Sequence, residues 1–322
     1  MQATPSPAAT LARAWSRRRT HRPPVATLAR AWAHRLATVA TMRAVATALA
    51  ALITALPCSA EDATGARAEQ LYKNFLDKAQ SLEIMPDEGE QPLQLVKTPL
   101  FRFATEGTVF GSVFVWHDAD QRLALVGTIG SLPIRGTDMQ FVELHLLKAA
   151  PIEPLTFPGF PTKRWQPDVK GLQPAPLPNA PPVAANARLR LTQMRSLARQ
   201  FDAAMIHDGQ TNNLRLLPQP LYRYNDPTQQ RDGALFAYVW DNGTDPELLL
   251  RIETIEEDGR TTWHYQPIRF TWRQLKLEHR GEQVWQIEEF LERNAPLQQT
   301  PYITGLTERV PSAPDTVDVI GQ

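Results

Sequence analysis

LRLLPQPLYRYNDPTQQRDGALFAYVW, residues Leu214–Trp240, has a shorter echo in LQLVKTPLFRFATEGTVFGSVFVW, residues Leu93–Trp116. Laid over each other without a gap, LQLVKTPLFRF and LRLLPQPLYRY share Leu, Leu, Pro, Leu and Arg at matching positions, and Pro99 and Pro220 set the offset at 121 residues. GSVF at Gly111–Phe114 and GALF at Gly233–Phe236 keep nearly the same offset. One module written twice is therefore the expectation.

Each copy begins with an amphipathic pattern and continues as short β-rich runs. In AEQLYKNFLDKAQSL, Leu71, Tyr72, Phe75, Leu76, Ala79 and Leu82 recur at helical steps. In LTQMRSLARQFDAAMI, Leu191, Met194, Leu197, Ala198, Phe201, Ala204 and Met205 do the same, predicting a helix that ends at His207-Asp208-Gly209. Runs such as LFRF, VFGSVFVW, LALVGTI, LYRY, ALFAYVW and LLLRIETI follow, divided by turn residues that include Asn242-Gly243 and Asp258-Gly259. In FVELHLL, alternation sends Phe141, Glu143, His145 and Leu147 to one face and Val142, Leu144 and Leu146 to the other. Ile268, Phe270 and Trp272 against Arg269, Thr271 and Arg273 suggest a sheet with one wet side. One helix followed by short-turned strands predicts an α+β class, two tandem modules each with a helix on a curved antiparallel sheet, by analogy with cystatin-like or nuclear-transport-factor-like cones.

The expected boundaries are a leader over 1–41, a signal peptide over 42–60, a first module over 61–167, a Pro-rich linker over 168–186, a second module over 187–292 and an irregular tail over 293–322. Ten of the 28 prolines lie between Pro151 and Pro182, which rules out regular helix or central strand there. Trp165-Gln166 and Trp285-Gln286 stand 120 residues apart, so Trp165 is expected to close the first sheet.

The leader contains no Asp or Glu before Glu61. From Met42 a single Arg43, an apolar run over Ala44–Leu56 and small residues up to Ala60 have the layout of an export signal, with cleavage between Ala60 and Glu61. That run is too short for the roughly 20 residues of a membrane span. ATLARAW occurs twice before it, at Ala9–Trp15 and Ala26–Trp32, and is read as an over-called start. Removing residues 1–60 removes eight arginines and leaves 26 bases against 34 acids, a mature chain near −8. Such a balance argues against nucleic acid or an anionic membrane surface as partner. Cys58, the single cysteine, leaves with the signal, which excludes disulfides, thiolate nucleophiles and Cys-ligated zinc.

QMRSLARQF, LLPQPLYRY and DGALFAYV resemble motifs of a group of exported bacterial proteins with no assigned activity, over roughly residues 95–290. The resemblance implies export and a common fold, in the periplasm or outside the cell. It implies no cofactor, activity or catalytic residue.

Glu143 and His145, two apart on a strand, are the candidate acid/base or metal pair, with His117 as the nearest third ligand. Arg102 and Arg223 sit in matching aromatic-Arg-aromatic triplets; a structural Arg that covers the sheet or pairs with a neighbouring acid is the leading reading of each, and an anion site made twice the alternative. Trp240, Trp263 and Tyr265 are aromatics that could line a groove for a small ligand or a peptide. Asp118 and Asp120, like Asp241, Asp245 and Glu247, lack the spacing of a calcium loop and are read as turn chemistry. Ser112 and Ser131 lack the nucleophile elbow. The expectation is a non-enzymatic envelope protein that binds a protein or small ligand, with no metal or cofactor; the alternatives are an enzyme with a pocket between helix and sheet, and a structural scaffold.

Overall fold

The computed structural model describes residues 60–87, 91–157, 162–226, 231–240, 243–291 and 296–310. The leader expected over 1–41 and all but the last residue of the signal peptide expected over 42–60 lie outside the described residues; Ala60 and Glu61, the expected cleavage site, begin the first helix.

Helix α1 runs over Ala60–Ser81 and buries Leu71, Phe75 and Ala79, the four-residue spacing that puts them on one face. The strands after it are β1 (Gln94–Leu95), β2 (Phe101–Thr105), β3 (Val109–His117), β4 (Leu123–Ile134) and β5 (Thr137–Leu146). Short β6 (Leu155–Thr156), β7 (Arg164–Trp165) and β8 (Ala175–Pro176) lead to helix α2 (Ala187–Ala198), which the Asn186 side chain caps by accepting from the Leu189 N–H at 2.8 Å. Then come β9 (Phe201–His207), β10 (Gln210–Leu216), β11 (Tyr222–Asp226), β12 (Arg231–Val239), β13 (Pro246–Glu257), β14 (Arg260–Arg269), β15 (Gln274–His279), β16 (Glu282–Ile287), β17 (Leu297–Gln298) and β18 (Tyr302–Arg309). The fold is α+β, dominated by curled antiparallel sheets.

The first sheet has the order β1-β3-β4-β5-β18, with β2 also on β3; the second has β16-β15-β9-β10-β12-β13-β14-β8, with β11 on β12. The two proline turns carry the same backbone bonds. Val96 and Leu100 donate to Val115 and Val113 around Pro99, and Leu217 and Leu221 donate to Ala237 and Leu235 around Pro220. Phe103 lies flat over Gly111 and Tyr224 over Gly233. A Cβ at either glycine would stand 2.2 or 2.3 Å from the ring, so neither position admits a side chain.

Three apolar layers result. Phe110, Phe114 and Trp116 of β3 pack with α1, while Ala234, Phe236 and Tyr238 of β12 pack with α2. The opposite faces of the same strands meet each other: Val113, Val115, Val126 and Phe141 from the first sheet join Leu235, Ala237, Leu249, Ile268 and Phe270 from the second. Both faces of each sheet are thus covered, and the expected wet side is corrected: Arg269 and Thr271 are buried. This is why β3 and β12 read as nearly unbroken apolar runs.

Other expectations are also corrected. The second helix stops at Ala198, because Phe201, Ala203 and Met205 are buried on alternate positions of β9 and the Tyr238 hydroxyl donates to the carbonyls of Ala198 and Phe201 at 3.0 and 3.1 Å. Phe201 and Met205, four apart, satisfy both periods. The tail over 293–322 is not irregular throughout, since β18 pairs with β5 and completes the first sheet. The linker over 168–186 is no free tether: β8 covers the β14 edge, where proline is tolerated, while Leu172 and Leu177 are buried in the two helix-side cores. Trp165 does not close the first sheet; it lies in a separate three-stranded sheet with β6 and β17, its indole donating to the Thr300 carbonyl at 2.8 Å. No helix among the described residues is long and apolar enough to cross a membrane.

Because the middle layer belongs to both sheets, calorimetry of the chain over 61–322 should show one cooperative transition, with Leu235→Ala lowering the stability of the whole by about 2–5 kcal/mol. Two separable transitions would mean that the halves fold independently.

Candidate functional site

At one end of the middle layer the two sheets part around a cavity of about 710 Å³. Its apolar lining comes from Val109, Leu132, Phe141 and Leu306 of the first sheet and from Phe270, whose N–H donates to the Glu247 carbonyl, beside the second. Its polar lining gathers Glu143 from β5, Asp245 and Glu247 at the start of β13, and Arg273 just beyond β14. Thr162, Lys163 and Pro296 contribute from the outlying segments.

Strand register places Glu143. Thr128 of β4 and Thr304 of β18 flank it, and it shares its face with Phe141, which points it between the sheets. The Tyr302 hydroxyl donates to its Oε1 at 2.6 Å. Burial pushes its pKa up to about 7, further raised by Glu247 and opposed by the Tyr302 and Thr304 hydrogen bonds and the Arg269 charge. Half-buried Asp245 is raised well above the aspartate range by desolvation first, then by Glu247 and Glu143, with Arg273 pulling the other way. Glu247 is also raised by burial, against Arg273, a Thr271 hydrogen bond and His207. Three carboxyl groups thus line one cavity in which burial disfavours their ionised forms.

The cations around them are held by the protein. Arg273 approaches Glu247 at 3.5 Å and lies over the rings of Trp240 and Trp272, at 5.7 and 5.3 Å from their centroids. Arg269, buried, donates to the carbonyls of Thr271, Trp272, Arg273 and Glu288 at 2.6–2.8 Å and lies over Tyr302. It thereby shapes the loop that presents Trp272 and Arg273 to the cavity. Lys163 is buried over the Phe157 ring.

Of the residues proposed from sequence, only Glu143 lines this cavity. His145 shares its strand face but is buried beside Tyr302; its Nδ1 meets the Leu146 carbonyl at 3.0 Å, and burial lowers its pKa to about 4. His145 does not line the cavity and no described hydrogen bond joins it to Glu143, so the two are not brought together there. His117 is elsewhere, sharing a 3.0 Å hydrogen bond with Tyr222, and no three metal-ligating His, Cys, Asp or Glu converge among the described residues.

Arg102 and Arg223 do not form matching anion sites. Arg102 pairs with Glu69 of α1 at 3.3 Å and covers the Tyr72 ring. Arg223 donates to buried Asp232 at 2.8 Å and to the Ala187 carbonyl at 2.7 Å, next to Arg190, which also bonds Asp232. Trp263 and Tyr265 are buried in the α2-side core, Tyr265 against Phe201, and Trp240 supports Arg273. Trp263 also lines a second cavity, which Trp240 and Tyr265 do not join, so the three aromatics do not form one groove. The cavity that holds Glu143 lies between the two sheets; the second, of about 820 Å³, is bordered by Arg190 of α2, the segment before that helix, and Thr254 and Trp263 of the second sheet.

Sequence reading missed Asp245 and Glu247 by assigning them to turn chemistry, and missed Tyr302 by placing it in a tail. The signal available was an acidic pair flanking Pro246 at the head of an apolar run. It acquires meaning only once β5 is known to lie opposite.

Arg223→Ala should cost about 1–3 kcal/mol, because it leaves buried Asp232 with fewer donors. Arg102→Ala, on an exposed pair, should cost about 0–1 kcal/mol. Urea denaturation of the two variants measures the difference. Comparison with protein-family models, curated proteins and solved structures returns no match.

Proposed function

We propose that the protein is an exported, non-enzymatic binder of a small amphipathic ligand, which seats its apolar body against Val109, Leu132, Phe141 and Leu306 and its hydrogen-bond-donating head among Glu143, Asp245 and Glu247. The observation that carries this reading is the cavity itself, whose lining joins apolar side chains to three carboxyl groups. A mostly apolar pocket with a few convergent polar groups is the usual form of a small-molecule site. The signal sequence over 42–60 supports work in the periplasm or outside the cell.

The chain also reads as a duplicated helix-and-sheet module. In support, the Pro99 and Pro220 turns share their bond pattern, and β2–β5 and β11–β14 run in the same order with nearly constant offset. On this reading the copies have diverged at the cavity. Asp245 and Glu247 stand where the first copy has Arg122 and Ala124, and the position of Glu143 is Gln266 in the second. One binding site would then serve the pair. This accords with the resemblance to exported proteins carrying the same motifs.

An acid/base enzyme is the second reading, favoured by Glu143 being held at about 7, where a carboxyl group can both give and take a proton near neutrality.

Octylamine and octanol should each raise the melting temperature of the mature protein, by roughly 5–10 °C at a hundredfold excess over Kd, whereas octanoate should not. Val109→Trp, which fills space beside the apolar lining, should abolish the response. If no probe shifts the melt, the binding reading fails.

A further inference from the structure

Glu143 belongs to the first sheet, whereas Asp245 and Glu247 belong to the second, so this cluster spans the seam where the cavity interrupts the shared apolar layer. We propose that the three carboxyl groups act as a proton-operated latch between the sheets, closed while they are protonated and loosened when all three ionise and repel one another across the cavity, so that pH regulates access to the cavity. The inference rests on the cavity being the ligand site.

The groups facing the cluster define its response. From β18 come the Tyr302 hydroxyl on Glu143 and Thr304. From β14 and its following loop come Arg269, Thr271 and Arg273. His207 of β9 faces Glu247, and Lys163 enters from the segment before β7. His145, the next inward residue of β5, is held neutral by burial. Arg269 directs its N–H groups to four backbone carbonyls, and Arg273 approaches Glu247 alone among the three acids at ion-pair distance among the described contacts. Protonation therefore sets the charge that the two walls present to each other, since Glu143 and Asp245 repel across the cavity when both are ionised and not when one is protonated.

The sign follows from the direction of the shifts. A carboxyl group whose pKa is higher in the folded chain than in the unfolded one favours folding while protonated, and that contribution is lost as pH rises through the folded value. For Glu143 the window runs from the ordinary 4.5 up to about 7. Asp245 and Glu247 shift in the same direction.

Melting temperatures of the mature protein, Glu143→Gln and Asp245→Asn across pH 5 to 8 test the latch. Glutamine keeps the protonated shape at every pH. Glu143→Gln should match the wild type near pH 5 and exceed it at pH 8 by on the order of 5 °C, with Asp245→Asn changing in the same sense. Octanol, uncharged throughout, should enter the wild-type protein several times faster at pH 8 than at pH 5.5, and Glu143→Gln at one rate. Parallel melting profiles for wild type and both variants overturn the latch even where octanol binds. A divergent melting profile with no octanol binding supports the latch and removes the cavity as a ligand site.

Discussion

Face-to-face contact between the two sheets is the constraint from which the rest of this structure follows. Val113 and Val115 against Leu235 and Ala237 bury the faces that the helices leave uncovered. Without that layer each sheet would present a broad apolar surface to water, at about 25 cal/mol for every Å² exposed. The layer also explains the glycines beneath Phe103 and Tyr224: the rings must lie flat on the neighbouring strand to keep the surface level enough for the other sheet to approach. The Pro-rich segment and the C-terminal strand fit the same scheme, since β8 and β18 extend the two sheets at their margins.

The cavity is where this scheme is locally suspended. Carboxyl groups replace apolar side chains at the sheet–sheet seam, and two of the three have a specific neighbour: Tyr302 for Glu143, Arg273 and Thr271 for Glu247. Buried charge carries a desolvation cost that such contacts only partly offset. The upward displacement of all three carboxyl pKa values expresses that cost. This mixture of apolar walls and buried carboxyl groups is what the proposed binding function rests on.

Buried charge elsewhere has a different character. Asp232 is met by Arg190 and Arg223, and Glu253 by Arg251 and the Tyr224 hydroxyl, so each acid has close donors. Those groups fasten α2 and β11 to the second sheet. The contrast separates a structural charge cluster from a candidate site: in one the acids are matched by cations, in the other they compete with one another.

The amino-acid sequence by itself determined the class of the fold, because helical periodicity at Leu71–Ala79 and apolar runs punctuated by turns are local properties of the chain. It also established the alternation along β5 that sets Glu143 apart from Val142 and Leu144. Which face of β5 met another sheet lay beyond it, as did the ending of α2 at Ala198, where Phe201 and Met205 fit a helix and a strand equally well. Only tertiary structure decided that Glu143 meets Asp245 and Glu247 while His145 does not join them in the cavity. The reason is that these residues lie about a hundred positions apart and share no local pattern; a contact of that kind arises from how two sheets lie on each other, and no short stretch of chain encodes it.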